Sequence, residues 1–282
     1  MRRAAALAIA ALLLVPPEVP AATSVADPTI GPFRQRAAMR HLHRIVGFGP
    51  RPAGSPSYLE ASRYVRRRLD RLGLRTKVQR FPLPQGGRSR NVVAWFAGRG
   101  RAKVLLGAHL DTVTGSPGAN DNASGVAVLL ALARAAAEAS PAPRVRIVAF
   151  GAEERQPNGD HHLGSKAYTR RMPAQHRDAL RVMVSVDMIG KAVPLTVGWT
   201  ESRNDAVVEV LQAAAAAGVQ ADDLEVGDIS DHVPFERAGM AGALLWSGFE
   251  PNHHQPTDVV SNVQPRALRR SGRLLAELLG SV

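Results

Sequence analysis

The chain has 282 residues, a formal net charge of +12 and no cysteine. Its length is sufficient for one α/β domain with a large core. The lack of cysteine excludes disulfides, thiolate metal sites and thiol nucleophiles. The arginines that supply most of the charge are scattered over predicted helices without interleaved aromatic side chains, so we expect no nucleic-acid groove. Contact with an anionic cell envelope and ordinary solvated helix faces both remain open as explanations of the charge.

The N-terminal residues have the pattern of an export signal. Arg2 and Arg3 precede an unbroken apolar run from Ala4 to Val15, and small residues follow it. This order predicts a secretory signal peptide over residues 1–22, with an uncleaved anchor or a buried helix as weaker alternatives. The apolar run is shorter than the roughly 20 residues that cross a bilayer. We therefore expect a bacterial protein that is secreted or extracytoplasmic and does not span the membrane after signal cleavage.

An extended lead-in over residues 23–32 is expected before a single domain over residues 33–282. Ser55 and Pro56 supply an N-cap and a first-turn proline for one helix, and Gly73 supplies its C-cap. The other elements predicted before residue 104 are a helix over 33–45, a Gly- and Pro-rich loop over 47–54 and strands over 76–81 and 91–97.

From Val104 onward, apolar runs typical of buried strands alternate with helical segments. Helices are predicted over 123–137, 165–171, 205–217, 232–238 and 265–279. This alternation predicts an α/β fold with a mixed, mainly parallel central sheet sandwiched between helices. The sequence shows no internal repeat and no dividing linker after residue 32, which favours a single domain.

Five side chains of the metal-ligand type each follow an apolar, strand-like run. They are His109, Asp121, Glu154, Asp187 and His254. The carboxyl ends of parallel strands share one edge of a sheet, and ligands bind in the crevice there. Two histidines and three carboxylates suit zinc, with one carboxylate left to bridge a second ion. The sequence therefore predicts a hydrolytic site with two metal ions at this edge.

Two of the candidate positions have strong structural explanations when taken alone. Asp111 lies two residues after His109, on the same side of an extended strand, where a carboxylate can fix the ring of a metal-bound histidine. A His-x-Asp at a strand end is more often structural. Asp121 lies in a tight turn that opens an apolar helix, where Asp is also an ordinary helix cap. The pattern leaves both roles open for Asp121.

The other candidates gain weight from their positions. Glu153 and Glu154 directly follow a strongly apolar strand, so one can bind metal while the other takes a proton from the attacking water. Bound zinc lowers the pKa of its water to about 7, within reach of a glutamate base. Asp187 ends an apolar strand, and a buried Asp is costly unless it is paired or metal-bound. His253 and His254 lie in a polar loop, where such pairs also occur by chance.

In their order along the chain, these motifs resemble the co-catalytic zinc aminopeptidases, the family that contains secreted bacterial leucine aminopeptidases. The matching segments are 107–113, 120–125, 151–154, 186–190 and 254–258, and segments 49–55 and 230–235 are also similar. The resemblance runs from about residue 35 to the C-terminus. It implies the zinc exopeptidase fold and a peptidase that acts on peptide or protein N-termini.

The resemblance also implies a ligand set. One zinc ion would take His109 and Asp187, the other would take Glu154 and His254, and Asp121 would bridge the two ions. Co²⁺ or Mn²⁺ can satisfy similar ligands. A cis peptide bond after Asp121 is a further expectation from the family.

The remaining roles implied by the resemblance concern the reaction and the substrate. Glu153 would be the general base and later the acid that protonates the leaving amine, and Asp111 would orient His109. The residues implied to border the substrate are His253, Asp231 and His232. A helix cap explains the last two of these equally well.

Two features depart from the family pattern. Residues 155–162 are inserted between Glu154 and the Leu163-Gly164-Ser165 segment, where the family turns more tightly. This insertion either contacts substrate or forms a polar surface excursion, and the excursion is favoured. His253 stands where the family often has a Tyr that hydrogen-bonds the reacting carbonyl group. A histidine can also donate there but changes charge near neutral pH, so we expect lower or more pH-sensitive turnover.

The sequence as a whole predicts a zinc-dependent metallo-aminopeptidase, and three alternatives stay open. A glutaminyl cyclase-like aminoacyl cyclase uses a similar fold with one zinc ion, and the complete set of five ligands argues against it. A carboxypeptidase-like enzyme would act at the other chain end. A non-catalytic envelope-binding protein is less favoured, because such relatives lose ligands or the base. Candidates for an apolar substrate pocket, and equally for the core, are Met188, Trp199, Trp246 and Phe249.

Overall fold

The computed structural model describes residues 29–281, in which a mixed eight-stranded sheet lies between helices. The predicted signal peptide and the first part of the lead-in, residues 23–28, lie outside the described residues. Residues 29–32 form neither helix nor strand, and Ile30 and Phe33 pack against the core. Within the described range, no helix is long and apolar enough to cross a membrane.

Helices and strands follow one another along the chain, and the structure adds one helix and two strands to the elements predicted from the sequence. The helices are α1 (Gln35–Val46), α2 (Pro56–Arg71), α3 (Ser124–Ala137), α4 (Leu163–Arg170), α5 (Ala174–Arg177), α6 (Asp205–Ala216), α7 (Val233–Glu236) and α8 (Pro265–Gly280). The strands are β1 (Arg75–Pro82), β2 (Arg88–Trp95), β3 (Val104–His109), β4 (Val145–Phe150), β5 (Val182–Val186), β6 (Leu195–Trp199), β7 (Ala221–Glu225) and β8 (Gly242–Trp246). A π-helical turn (Ala119–Ala123) precedes α3, and a 3-10 turn (Val260–Asn262) precedes α8.

The strand order in the sheet is β1-β2-β4-β3-β5-β8-β6-β7. Strand β3 pairs in parallel with β4 and β5, β5 pairs in parallel with β8, and β6 pairs in parallel with β7. The β1–β2 hairpin joins the sheet antiparallel to β4, and β6 is antiparallel to β8. The predicted mixed, mainly parallel sheet between helices is therefore confirmed.

The central strands are buried on both faces, which explains their nearly continuous apolar sequences. On β3, Leu106 and Ala108 pack in the larger core cluster with α1, α2, α3, α6 and α8, whereas Leu105 packs in a second cluster that includes side chains of α4 and α7. A Cβ atom at Gly107 would lie 2.3 Å from the ring of Phe150, so glycine is needed at this position. Strand β3 is thus held rigidly where it ends, at the site.

The sequence predicts no span for α5, β6 or β7, and β7 shows why. Strand β7 has the sequence Ala-Asp-Asp-Leu-Glu, which is poor in strand-forming residues, and most of it is exposed. It forms by pairing with β6 at the edge of the sheet, from Leu195 opposite Ala221 to Trp199 opposite Glu225. Charged side chains at such an edge face water and discourage further strand pairing.

Candidate functional site

The carboxyl edge of the central sheet forms a cavity of about 220 Å³, and all five predicted ligands line it. Strand β3 ends at His109, β5 ends one residue before Asp187, and the loops after β4 and β8 carry Glu154 and His254. Asp121 comes from the π-helical turn before α3, and the peptide bond that follows it is cis, as the family resemblance implies. Side chains far apart in the sequence therefore meet because the strand ends meet.

The buried half of this cluster, which we call the deep subsite, consists of His109, Asp121 and Asp187. His109 Nε2 lies 3.0 Å from Asp121 Oδ1 and 3.3 Å from Asp187 Oδ1. The Ser230 hydroxyl donates to Asp187 Oδ2 at 2.8 Å. The second ring nitrogen of His109, Nδ1, lies 3.2 Å from the backbone carbonyl oxygen of Asp111. These contacts fix the orientation of the ligand side chains.

The other half, the outer subsite, shares Asp121 and adds Glu154 and His254. His254 Nε2 lies 3.0 Å from Glu154 Oε2 and 3.2 Å from Asp121 Oδ2. Burial and the Asp121 carboxylate raise the pKa of Glu154 to about 8. Hydrogen bonds to Asp121 and Glu154 raise the pKa of His254 to about 10. Asp121 therefore offers one oxygen to each subsite, as a bridging ligand requires.

His253 lies on the cavity wall beside the outer subsite. Its ring stacks on that of His254 with centroids 3.7 Å apart, and its Nε2 lies 3.3 Å from Asp121 Oδ2. The structure therefore places this predicted substrate-side residue next to the Asp121 carboxylate.

The donor atoms fit zinc. Tetrahedral zinc with ligand bonds of about 2.0–2.2 Å places neighbouring ligand atoms about 3.3 Å apart, and the contacts within the two subsites measure between 3.0 and 3.3 Å. Glu154 Oε1 and Asp187 Oδ1 are buried and make no hydrogen bond within the protein. Several carboxylates buried together are costly without compensating cations. The same nitrogen and oxygen donors also suit Co²⁺ or Mn²⁺.

Glu153 lies between the ligands and the 155–162 insertion. Its Oε2 is 4.0 Å from His109 Nε2, on the ligand side, and its Oε1 is 2.9 Å from His162 Nε2, on the insertion side. Burial raises the pKa of Glu153, but the charges of His109 and His162 outweigh burial and lower the pKa below its ordinary value. The carboxylate is therefore ionised and able to accept a proton.

Asp111 supports the two adjacent glutamates and not the ring of His109. Its Oδ1 accepts a hydrogen bond from the backbone N–H of Glu153 at 3.2 Å, and its Oδ2 accepts one from that of Glu154 at 3.1 Å. Asp111 Oδ1 is 3.9 Å from His109 Nδ1, which is too long for a hydrogen bond. The predicted role is therefore corrected: the backbone carbonyl of Asp111 contacts the ring, and its carboxylate holds the segment that carries Glu153 and Glu154.

Asp231 and His232, predicted to border the substrate, are fully buried and do not line the cavity. Asp231 accepts a hydrogen bond from the Ser165 hydroxyl at 2.5 Å, and His232 Nε2 lies 3.0 Å from Thr200 Oγ1. Helix α7 follows directly and packs against α4, which turns both side chains inward. The predicted substrate contact of Asp231 and His232 is therefore wrong.

Two charged residues without a predicted role hold the site together. Asp258 accepts hydrogen bonds from the backbone N–H groups of Asn120 at 2.8 Å and Asp121 at 3.0 Å, so it fixes the turn that carries Asp121. The fully buried Arg51 donates to backbone carbonyl groups within the segment 110–118. Arg51 and Asp258 lie in segments 49–55 and 254–258, which resemble the family. This resemblance is the sequence signal that could have identified them.

Apolar side chains form part of the cavity wall. They are Met188, Ile229, Leu244, Trp246 and Phe249. The rings of Trp246 and Phe249 meet edge to face with centroids 4.8 Å apart, and Phe249 is 62% exposed. Trp199, a candidate for this wall by sequence, does not line it. An exposed aromatic side chain at the mouth of a cavity offers apolar surface that a ligand can cover.

The fold resembles solved structures of two enzyme classes. BSAP, a zinc aminopeptidase from Bacillus subtilis, matches with a TM-score of 0.79 and 20% identity over 88% of this chain and 94% of its own. A glutaminyl cyclase from Bacteroides thetaiotaomicron matches with a TM-score of 0.79 and 22% identity over 90% of this chain and 99% of its own. At these identities the similarity establishes the fold alone.

Two curated relatives are similar in sequence. Leupeptin-inactivating enzyme 1 of Streptomyces exfoliatus is 30% identical over 297 residues, which cover 96% of this chain and 66% of the relative. Aminopeptidase YwaD of Bacillus subtilis (strain 168) is 34% identical over 183 residues, which cover 61% of this chain and 39% of the relative. The chain thus spans less than two thirds of the length of these relatives.

A family model matches residues 91–279, the range that contains all five ligand-type side chains and Glu153. The match covers more than half of the chain and includes every strand that ends at the cavity. The matched range contains the residues that line the cavity, and the chain belongs to peptidase family M28.

Proposed function

We propose that this protein is a secreted, zinc-dependent aminopeptidase that holds two zinc ions and removes N-terminal residues from peptides. The observation that carries the proposal is the meeting of both subsites, the ionised Glu153 and an apolar wall in one cavity. Membership of a peptidase family supports peptide-bond hydrolysis. The similarity to Aminopeptidase YwaD supports action at the N-terminus, and the signal-peptide pattern supports export.

The two ions would share the ligands that the structure brings together. His109 and Asp187 would hold one ion, Glu154 and His254 the other, and Asp121 would bind both. When bound, zinc supplies a Lewis acid that polarises the peptide carbonyl group and acidifies the attacking water. The protein contributes the fixed arrangement of ligands around the place where the water and the carbonyl group meet.

Glu153 would move the proton. Its Oε2 faces the ligands and can accept a proton from the attacking water, then return it to the leaving amine. Glutamine has the same shape but cannot accept that proton. We therefore expect Glu153→Gln to retain its zinc and to lose activity by orders of magnitude. Retained activity in the zinc-loaded variant would contradict the assigned role.

The cavity supports a substrate with a free α-amine and an apolar first side chain. The amine would be attracted to the carboxylates of Glu153 and Asp187. The first side chain would lie against the apolar wall, where Met188, Trp246 and Phe249 are exposed to the cavity. An acetyl group would remove the positive charge of the amine and add bulk beside the carboxylates, so blocked peptides are expected to be poor substrates.

The experiment that tests this function uses the mature protein with peptides that carry free or acetylated N-termini, including one that begins with Gln. Products are identified by mass before chelation, after chelation and after zinc is returned. Zinc-restored loss of single N-terminal residues from unblocked peptides alone supports the proposal. Release of ammonia from the Gln peptide alone would identify a glutaminyl cyclase, the second candidate, whose fold matches equally well. Cleavage at the other chain end would identify a carboxypeptidase.

A further inference from the structure

The 155–162 insertion ends in a buried histidine that touches the proposed general base. Residues 157–160 at the tip of the insertion are exposed, as a surface excursion predicts, but His162 is only 1% exposed. Its backbone N–H donates to the carbonyl oxygen of Glu153 at 2.9 Å, and its ring Nε2 lies 2.9 Å from Glu153 Oε1. The insertion therefore folds back onto Glu153, two residues before its first residue, and contacts both the backbone and the side chain of Glu153.

The opposite side of the His162 ring faces Asp228, from the loop between β7 and α7. His162 Nδ1 lies 3.3 Å from Asp228 Oδ1, and Arg237 Nη1 donates to Asp228 Oδ2 at 3.0 Å. Burial lowers the pKa of His162, but the Glu153 and Asp228 carboxylates outweigh burial and raise the pKa to about 10. The protonated ring therefore lies between two carboxylates as an ion pair with each, and its contact with Asp228 is a charge pair rather than a hydrogen bond.

The two oxygens of Glu153 thus have different surroundings. Oε1 faces His162, whereas Oε2 faces the ligands at 4.0 Å from His109 Nε2. We propose that His162, held by Asp228, is a positioning residue that fixes Glu153 through Oε1 and so aims Oε2 at the attacking water. This inference rests on the proposed function for its catalytic consequence. It gives the insertion a specific task in the reaction, which a surface excursion would not have.

The same side chains could instead form a further cation site, since His161 Nε2 lies 3.5 Å from Asp228 Oδ2. Two contacts favour the positioning role. The Arg237 guanidinium already lies on that Asp228 oxygen, and His162 already directs its Nε2 to Glu153. A positively charged ring between two carboxylates also needs no metal to balance their charge.

A matched pair of variants separates the two contacts of His162. The backbone at His162 is left-handed, with φ 53°, and asparagine tolerates that conformation. His162→Asn keeps a donor near Asp228 but is too short to reach Glu153, whereas His162→Gln can still donate to Glu153. We expect His162→Asn to lower kcat on an unblocked leucyl p-nitroanilide by about 10- to 100-fold with KM changed by less than about twofold. His162→Gln should recover most of this loss, and the exposed-loop control Asp160→Asn should equal the wild type.

Three further readouts decide the matter. In a Glu153→Gln background, adding His162→Asn should cause no further loss, because the two changes act through one group. A full additional loss, or a wild-type kcat in His162→Asn alone, would overturn the proposal. Loss of one zinc equivalent on His162→Asn would also overturn it, since that would make His162 a ligand. Crystal structures should show a shifted Glu153 carboxylate in His162→Asn, and an unshifted carboxylate would overturn the inference. This readout does not depend on activity. A wild type that cleaves no peptide would by itself refute only the proposed function.

Discussion

The deep and outer subsites share Asp121 but are built differently. In the deep subsite, His109 and Asp187 stand at the ends of buried central strands, and the side chain of His109 is 2% exposed. In the outer subsite, His254 stands in a loop with a left-handed backbone, and its side chain is 40% exposed. The sheet thus fixes one half of the cluster, whereas a loop supplies a ligand of the other half. For the proposed two-zinc site, we expect the deep subsite to bind zinc more tightly than the outer one.

The largest expected effect comes from removing one histidine from each half. His109→Ala leaves Asp121 and Asp187 facing each other without a neutralising partner, so we expect loss of the deep ion, loss of activity by orders of magnitude and a lower melting temperature. His254→Ala should keep one tightly bound zinc ion but lose most of its activity. Without metal, its melting temperature should equal that of the metal-free wild type. Metal analysis after dialysis and thermal unfolding measure the difference. Equal zinc loss and equal destabilisation in the two variants would refute the distinction between the halves.

A smaller effect is expected from the hydroxyl group that supports the deep subsite. Ser230→Ala removes the donor to Asp187 Oδ2 and leaves that buried oxygen unpaired, which should weaken zinc binding at the deep subsite by about 10- to 100-fold. The control is Ser271→Ala, because Ser271 is equally buried in α8 and its hydroxyl makes no hydrogen bond. Competition with a chelator of known affinity measures both variants. An unchanged affinity in Ser230→Ala would show that Asp187 needs no support.

The five candidate ligands were predicted from the sequence because polar side chains follow apolar, strand-like runs, although in the fold only His109 and Asp187 lie directly at a strand end. His109 and Asp187 are the clearest cases, since a charge at the end of a buried strand has few other uses. The supporting residues were not predictable in this way. Ser230 and Asp258 contact residues that are far away in the sequence, at Asp187 and at the turn of Asn120 and Asp121. Nothing in the local sequence of Ser230 or Asp258 predicts these contacts.

The same reasoning explains the errors. The carboxylate of Asp111 has the spacing that suits His109, but the backbone N–H groups of Glu153 and Glu154 lie closer to it in the fold. For Asp231, the family resemblance marks a segment near the site but not which way each side chain points. Packing of α7 against α4 decides that direction, and such long-range packing leaves no periodic signal in the sequence.

A still smaller effect concerns pH and the buried carboxyl group behind the deep subsite. Burial and the charge of Glu153 raise the pKa of Asp231 to about 7. Between about pH 4 and pH 7 the Asp231 carboxyl group is therefore protonated in the folded state and ionised in the unfolded state. The contribution of Asp231 to the free energy of unfolding is fully present below about pH 4 and is lost as pH rises through about 7. Asp231→Asn should gain stability relative to the wild type by more than about 1 kcal/mol between pH 5 and 8. Denaturant unfolding in excess zinc measures this, with exposed Asp160→Asn as the control; a pH-independent difference would contradict it.

The smallest expected effect lies in the outer half, at His253. Its ring lies between the tilted rings of Phe249 and His254, with centroids 4.9 Å and 3.7 Å away, at the position where the family resemblance implies a Tyr. His253→Tyr exchanges one donor to the reacting carbonyl oxygen for another, so we expect kcat to change by less than about tenfold, far less than when a donor is removed. Zinc content should stay the same, whereas His253→Phe, which has no donor, should lower kcat by about 100-fold. His43→Tyr, on the exposed face of α1, serves as the control. A wild-type kcat in His253→Phe would show that His253 does not act on the carbonyl group and only packs beside His254.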